Sequence, residues 1–193
     1  MKEKLTVGFT GHIYPGRGAD LLFELAKQMP AVTFWWVGGT PELVDIRQDK
    51  LTGAGMTNVT MTGFVKHEVI PLYQAAADVL LMPYSRSIEA SSGQDIAGVI
   101  NPMKMFEYMA AGRGIVSADL PSIREVLNEG NAVLVEPVEE ENREWGIGGW
   151  KAAIEALLAD EPRRLELGNQ AHRDVEQFTW VKREERVMEK MAQ

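Results

Sequence analysis

Asp78-Val79-Leu80-Leu81-Met82 is the stretch from which the architecture follows. Four apolar residues in succession, without polar alternation, describe a short strand buried on both faces. Strands of that kind belong to parallel sheets covered by helices on both sides. Working outward, Leu5-Thr6-Val7-Gly8-Phe9-Thr10, Phe34-Trp35-Trp36-Val37 and Asn58-Val59-Thr60-Met61-Thr62 read as three earlier strands. Gly114-Ile115-Val116-Ser117 and Asn131-Ala132-Val133-Leu134-Val135 read as two later ones. Helical segments separate them: Ala19 to Met29, Pro41 to about Leu51, about His67 to Ala77, a helix carrying Lys104, and one opening at Pro121. Strands alternating with helices and joined by right-handed crossovers predict an α/β protein with an open, doubly wound parallel sheet of about six strands. From about Arg143 the pattern is helical only, so residues 143–193 form a C-terminal helical segment. No linker divides the chain, and residues 1–193 are expected to form one domain.

The composition narrows the function classes. The 193 residues are 45% hydrophobic and 25% charged, ordinary values for a globular chain with a real core. A net charge of -8 argues against nucleic acid as a partner, which would call for a basic patch. No apolar run reaches the ~18–20 residues of a membrane span. Met1-Lys2-Glu3-Lys4 leads straight into the first strand with no signal peptide, and the expected location is cytoplasmic. Without cysteine there are no disulfides and no thiolate metal sites. His12, His67 and His172 are scattered, and no Asp-x-Asp accompanies them, so neither a metal nor a resident cofactor is expected. No Gly-x-Ser-x-Gly elbow of a serine hydrolase is present. Trp35, Trp36, Trp145 and Trp150 read as packing residues, and Glu139-Glu140-Glu141 as a solvated turn.

In doubly wound sheets ligands bind beyond the carboxyl ends of the strands. The informative loops therefore follow Thr10, Thr62 and Met82, together with the entry to the helix at Pro102. That helix, Asn101-Pro102-Met103-Lys104-Met105-Phe106-Glu107-Tyr108-Met109-Ala110-Ala111-Gly112, has both ends written in it. Asn101 suits the N-cap, Pro102 the first helical position, and Gly112 the left-handed residue that closes it. Met103, Phe106 and Ala110 mark its apolar face. Lys104 places a cation in the first turn, against the helix dipole, as though an anion were expected there. Glu107 shares its face. A solvated Lys104–Glu107 pair, worth about 0.2–0.5 kcal/mol, is the alternative.

Gly11-His12-Ile13-Tyr14-Pro15-Gly16-Arg17-Gly18 offers glycines for close backbone approach and an arginine suited to bidentate phosphate contact. It is neither Gly-x-Gly-x-x-Gly nor a P-loop, and a plain turn with a solvated arginine would read the same way. The polar run from Tyr84 to Ile100 exceeds the ~12–15 residues beyond which loops are usually functional or disordered. Gly63-Phe64-Val65 could lay exposed backbone against a flat ring, or Phe64 could belong to the core.

Taken together these motifs resemble the C-terminal, donor-binding domain of retaining GT-B glycosyltransferases of the large family 4 group. The resemblance runs nearly end to end. It rests on Gly11…Arg17-Gly18, Val37-Gly38-Gly39, Val59…Gly63-Phe64-Val65, Ala77-Asp78-Val79…Pro83 and, above all, Pro102 to Gly112; Phe178-Thr179-Trp180 matches the family's aromatic marker before its last helix. The resemblance implies a Rossmann-like half of a GT-B fold that binds a nucleoside diphosphate sugar. Arg17, Lys104 and Glu107 are the implied catalytic set: Arg17 on the diphosphate, Glu107 on the ribose hydroxyls, Lys104 stabilising the leaving group without metal. Gly11, His12, Gly63, Phe64, Val65, Asn101 and Met103 are the implied donor-binding residues. The acceptor-binding N-terminal domain is expected to be missing from this chain, which alone should transfer sugar slowly or not at all. Any peripheral association with the inner membrane would be carried by that half. Two positions depart from the family pattern. Val99 stands where an earlier glutamate often lies, and His12 where an arginine is common. A sugar-nucleotide epimerase and a non-catalytic nucleotide-binding module are the competing readings.

Overall fold

A computed structural model describes residues 4–11, 18–87, 102–139 and 143–191. The strands are β1 (Thr6–Thr10), β2 (Thr33–Val37), β3 (Val59–Gly63), β4 (Val79–Met82), β5 (Gly114–Ala118) and β6 (Val133–Val135). The helices are α1 (Ala19–Gln28), α2 (Pro41–Gly53), α3 (Ile70–Ala76), α4 (Met103–Ala111), α5 (Pro121–Arg124), α6 (Arg143–Ala159), α7 (Glu161–Asp174) and α8 (Trp180–Met191). The six strands make one sheet in the order β3-β2-β1-β4-β5-β6, with every neighbouring pair parallel. This is the doubly wound, Rossmann-like sheet that the strand–helix alternation predicts.

The sheet reverses its direction of growth between β1 and β4. Right-handed crossovers then send the helices after these two strands to opposite faces. Their packing agrees: α1 lies against α6, while α3 and α4 contact each other and α7 covers α4 and β5. Both sheet faces are thereby buried. Val79, Leu80, Leu81 and Met82 of β4 are wholly inaccessible, as a central strand without alternation requires. Trp36 and Trp150 are fully buried, and Trp35 meets Tyr73 edge-on at 6.0 Å.

Local differences from expectation have local causes. The helix expected from His67 opens as a 3-10 turn, His67–Val69, before α3. The helix at Pro121 is a four-residue turn. Asn131 lies outside β6, because its side chain is engaged elsewhere: it accepts the Asn128 N–H at 2.8 Å and donates to Asp174 of α7 at 2.8 Å. Asp160 caps α7 through the Arg163 N–H at 2.9 Å. Arg164 is nearly buried and donates to the Leu157 and Leu158 carbonyls at 3.1 and 3.0 Å, so its charge sits on the carboxyl end of α6.

A tight backbone contact joins α7 to the end of α4. Gly112 closes α4 in the left-handed conformation (φ 63°), and Gly168 of α7 lies directly over it. A β-carbon on Gly168 would stand 2.4 Å from the Gly112 carbonyl oxygen, which no side-chain rotation can relieve. Gly168→Ala should therefore destabilise the chain by about 1–3 kcal/mol, lowering the melting midpoint by about 2–4 °C per kcal/mol. Gly148→Ala is the matched control. It lies in α6 with open space around a β-carbon, so relief of glycine's entropy should stabilise by up to about 1 kcal/mol. Equal melting shifts for the two variants would contradict this account.

Candidate nucleotide-sugar site at the switch point

The geometry of the site begins where β1 and β4 part. Their ladder covers only Val7↔Val79 and Gly8↔Leu80, whereas β1 pairs with β2 over all five of its residues. Beyond Gly8 the two central strands diverge and open a crevice at their carboxyl ends. The divergence frees the Thr10 N–H from any β4 partner, and a buried donor without an acceptor is costly. Tyr108 of α4 supplies the acceptor: its phenolic oxygen takes the Thr10 N–H at 2.8 Å and the Thr10 hydroxyl at 3.3 Å. Tyr108 is wholly buried, and burial pushes its phenol above the ordinary tyrosine range, so it stays neutral.

Two groups are delivered to this crevice by α4. Lys104 sits in its first turn, which holds no acidic residue and no side-chain cap among the described residues. Successive strand residues face opposite sides. Thr10 faces α3 and α4, and Phe9 therefore faces the other layer. Yet the Lys104 ammonium lies 4.1 Å from the centre of the Phe9 ring and 5.5 Å from that of Tyr84. Its side chain must cross over the end of β1, and it does so above Gly11. A β-carbon there would stand 2.8 Å from the Lys104 Nζ, and Gly11 has φ 130°. That backbone conformation favours glycine at this position.

Glu107, one turn further along α4, is half-buried, and its Oε2 accepts a hydrogen bond from Gln74 Nε2 of α3 at 3.1 Å. The same Gln74 nitrogen donates to the Thr10 hydroxyl at 3.1 Å. Lys104 thus lies against the end of β1, and Glu107 is tied to the same strand end through Gln74. A cation at a helix start attracts an anion, and a carboxylate one turn deeper accepts hydroxyl groups.

The other residues singled out from the sequence sort as follows. Gly11 is in the crevice; its N–H donates to Val37 at 2.8 Å. Gly63 adjoins it through Gly38, whose N–H donates to the Gly63 carbonyl at 2.9 Å. Phe64 is 79% exposed, which removes it from the core and leaves a flat ring at the carboxyl end of β3. Val65 is half-buried, and Met103 is exposed at the start of α4. Arg17, His12 and Asn101 lie outside the described residues, as does Val99. The helix start differs by one residue from expectation. Pro102 occupies the cap position in an extended conformation (ψ 126°), and its carbonyl accepts the Met105 N–H at 2.9 Å. Its missing N–H is harmless at either position.

A cleft of about 200 Å³ opens on the far side of Tyr84, between the start of α1 and the chain after β6; Lys104 and Glu107 do not line it. Asp20, Glu24, Glu139 and Arg143 are among its lining residues, and Asp20 is paired with Arg47 at 3.1 Å and Lys50 at 3.5 Å. Glu24 and Glu139 add negative charge to this lining, whereas the first turn of α4 beside Lys104 holds no acidic residue. Among the described residues no three acidic or histidine side chains are grouped to hold a metal, and no helix is long and apolar enough to cross a membrane.

Sequence reasoning missed Gln74, Thr10 and Tyr108. The only signal was polarity out of place: a threonine ending an apolar strand, and a glutamine on the inward face of α3.

Comparison with known proteins bears on this geometry. TuaH of Bacillus subtilis, assigned to teichuronic acid biosynthesis as a glycosyltransferase, is 32% identical over 121 residues, 63% of this chain and 28% of that protein. Among solved structures, HepE of Anabaena, in complex with UDP and glucose, superposes with a TM-score of 0.75 at 20% identity, over 98% of this chain and 48% of that one. The C-terminal domain of LpcC, a group 1 family glycosyl transferase of Francisella tularensis, superposes with a TM-score of 0.67 at 19% identity, over 89% of this chain and 84% of that one. These structural likenesses are of fold, and the chain spans well under two thirds of TuaH and HepE. The sequence profile of the glycosyl transferases group 1 matches residues 4–160. A match over that much of the 193 residues, on the fold just described, makes this chain a member of the group 1 glycosyltransferase family.

Proposed function

We propose that this chain is the donor-binding half of a retaining glycosyltransferase, holding a nucleoside diphosphate sugar at the parting of β1 and β4. The observation that carries the reading is that Lys104 lies over the end of β1 while Glu107, one turn along α4, is tied to the same strand end through Gln74. The diphosphate rests on the Lys104 ammonium and the first-turn N–H groups around Met103, where the helix dipole adds positive charge. Arg17 and Asn101 belong to the same site in this reading. Glu107 accepts the ribose hydroxyls. Backbone at Gly63 and Val65, with the exposed Phe64 ring, meets the base. Group 1 membership and the UDP bound to HepE, a protein of the same fold, support this assignment.

The chemistry follows from the charge. When the bond from the sugar's anomeric carbon to the diphosphate breaks, the leaving group takes the electron pair, and its negative charge develops beside Lys104 and the helix start. Donors fixed before the reaction stabilise such charge most effectively. They supply the positive charge that other enzymes recruit from a metal. With the acceptor hydroxyl attacking the face the diphosphate leaves, configuration at the anomeric carbon is retained, and the acceptor proton passes to the departing oxygen.

The acceptor half is a further part of this proposal. Helix α8 supports it: Trp180, Val181, Val187, Met188 and Met191 are all exposed along its length, an apolar surface fit to bury against a second domain.

Calorimetry with UDP-, GDP- and ADP-sugars should show binding to at least one of them; no heat from any would overturn the reading. With the donor that binds, Lys104→Ala and Glu107→Ala should each weaken affinity by roughly 10–100-fold, the loss expected for a hydrogen bond to a charged group. The lysine effect should vanish when the nucleoside replaces the diphosphate. Alone, the chain should turn over the donor no faster than buffer does, whereas steady conversion of the sugar without acceptor would favour an epimerase.

A further inference from the structure

Resting on the nucleotide reading above, we propose that Gln74 is a positioning residue that aims Glu107 at the ribose, so that α3 sets the discrimination between ribose and deoxyribose.

Gln74 is 2% exposed on α3. A primary amide at so buried a position is tolerated only with its hydrogen bonds made. Its Nε2 makes two, to Thr10 Oγ1 and to Glu107 Oε2, both at 3.1 Å. The two N–H groups of one nitrogen therefore point at two acceptors fixed on different elements. Thr10 is fixed in turn, because its N–H and its hydroxyl both donate to the buried Tyr108 oxygen. Tyr108 follows Glu107 directly on α4. The chain of contacts runs from α4 through β1 and α3 back to α4, returning one residue away from where it began.

A carboxylate on a helix surface ordinarily samples several rotamers. Here one oxygen is held, which restricts the rotamers of the carboxylate and leaves Oε1 to accept from a ligand. An amide does this without neutralising the charge, so Glu107 remains a full acceptor for hydroxyl donors. A glutamine that merely filled space would make a different prediction: its loss would lower stability and weaken every ligand alike.

The test uses whichever of UDP, GDP and ADP binds best, and its 2′-deoxy counterpart, measured by calorimetry on the 193-residue chain. Wild type should prefer the ribonucleotide by roughly tenfold, one charge-assisted hydrogen bond's worth. Gln74→Met should bring that ratio to within about twofold of unity while affinity for the deoxynucleotide changes little, because the freed carboxylate no longer meets the hydroxyl preorganised. Thr10→Val, which removes the hydroxyl anchoring Gln74 and keeps the shape, should reduce the ratio in the same direction and decides the matter if Gln74→Met does not fold. An unchanged ratio in a folded variant overturns the role of Gln74 and leaves nucleotide binding standing. A wild type that binds both nucleotides equally also overturns it, since Glu107 then does not read the ribose. A wild type that binds none removes the reading on which it rests.

Discussion

The early parting of β1 and β4 is the constraint on which the rest of the site depends. A parallel sheet reversed at its centre must send its two middle strands into helices on opposite faces, and a ladder of two residue pairs lets the strands separate. Separation alone would leave backbone polar groups bare inside the protein. The Tyr108 hydroxyl answers this by accepting from Thr10, and that single contact fixes α4 to the mouth of the crevice. Once Tyr108 is fixed, the backbone positions from which Lys104 and Glu107 project are set. The positions of the charged groups thus follow from a hydrogen-bond requirement of the sheet.

Space is the second determinant. The carboxyl ends of β1 and β2 are packed backbone against backbone: a β-carbon on Gly38 would lie 2.6 Å from the Gly11 carbonyl oxygen. Gly11 itself has Lys104 passing over it, and at the far end of α4 Gly168 touches the closing turn. A side chain is excluded by backbone at the far end of α4, and at Gly11 it is disfavoured by a φ of 130°. The helix is held between a glycine at the strand end beneath its first turn and a glycine of α7 above its last. Interiors at crystal-like density transmit such restraint, because there is no void into which a segment can shift.

Much of this was legible in the sequence, and what was not had a common cause. The apolar run at Val79–Met82 and the alternation of strands and helices led to the correct sheet, because burial on both faces leaves its mark locally. Lys104 was legible as an anomaly against the helix dipole, and Glu107 by its position one turn on. The start of α4 was misplaced by one residue, since proline suits the cap and the first turn equally. Phe64 could not be assigned from sequence, because an aromatic residue after a strand is compatible with core and surface alike. The Thr10–Gln74–Tyr108 connections were out of reach: their partners are 64 and 98 residues apart, and no periodicity encodes a contact between elements that the fold alone brings together. His12, Arg17 and Asn101 carry the part of the reading that lies in residues 12–17 and 88–101, outside those described.

The charge pattern of the crevice explains why a neutral partner holds Glu107. The chain carries a net charge of -8, which disfavours the long-range approach of a phosphate. Attraction has to be local, and at the crevice it comes from the start of α4 with Lys104 in its first turn. A cation chosen to orient Glu107 would cancel the carboxylate and compete with the ligand's hydroxyls for it. A neutral amide orients the carboxylate by geometry and leaves its charge intact. The result is a short axis along one helix, positive at the start and negative one turn on. A ligand with an anionic group and a pair of hydroxyls about one helical turn apart matches that axis, and one bearing only either feature would meet half of it.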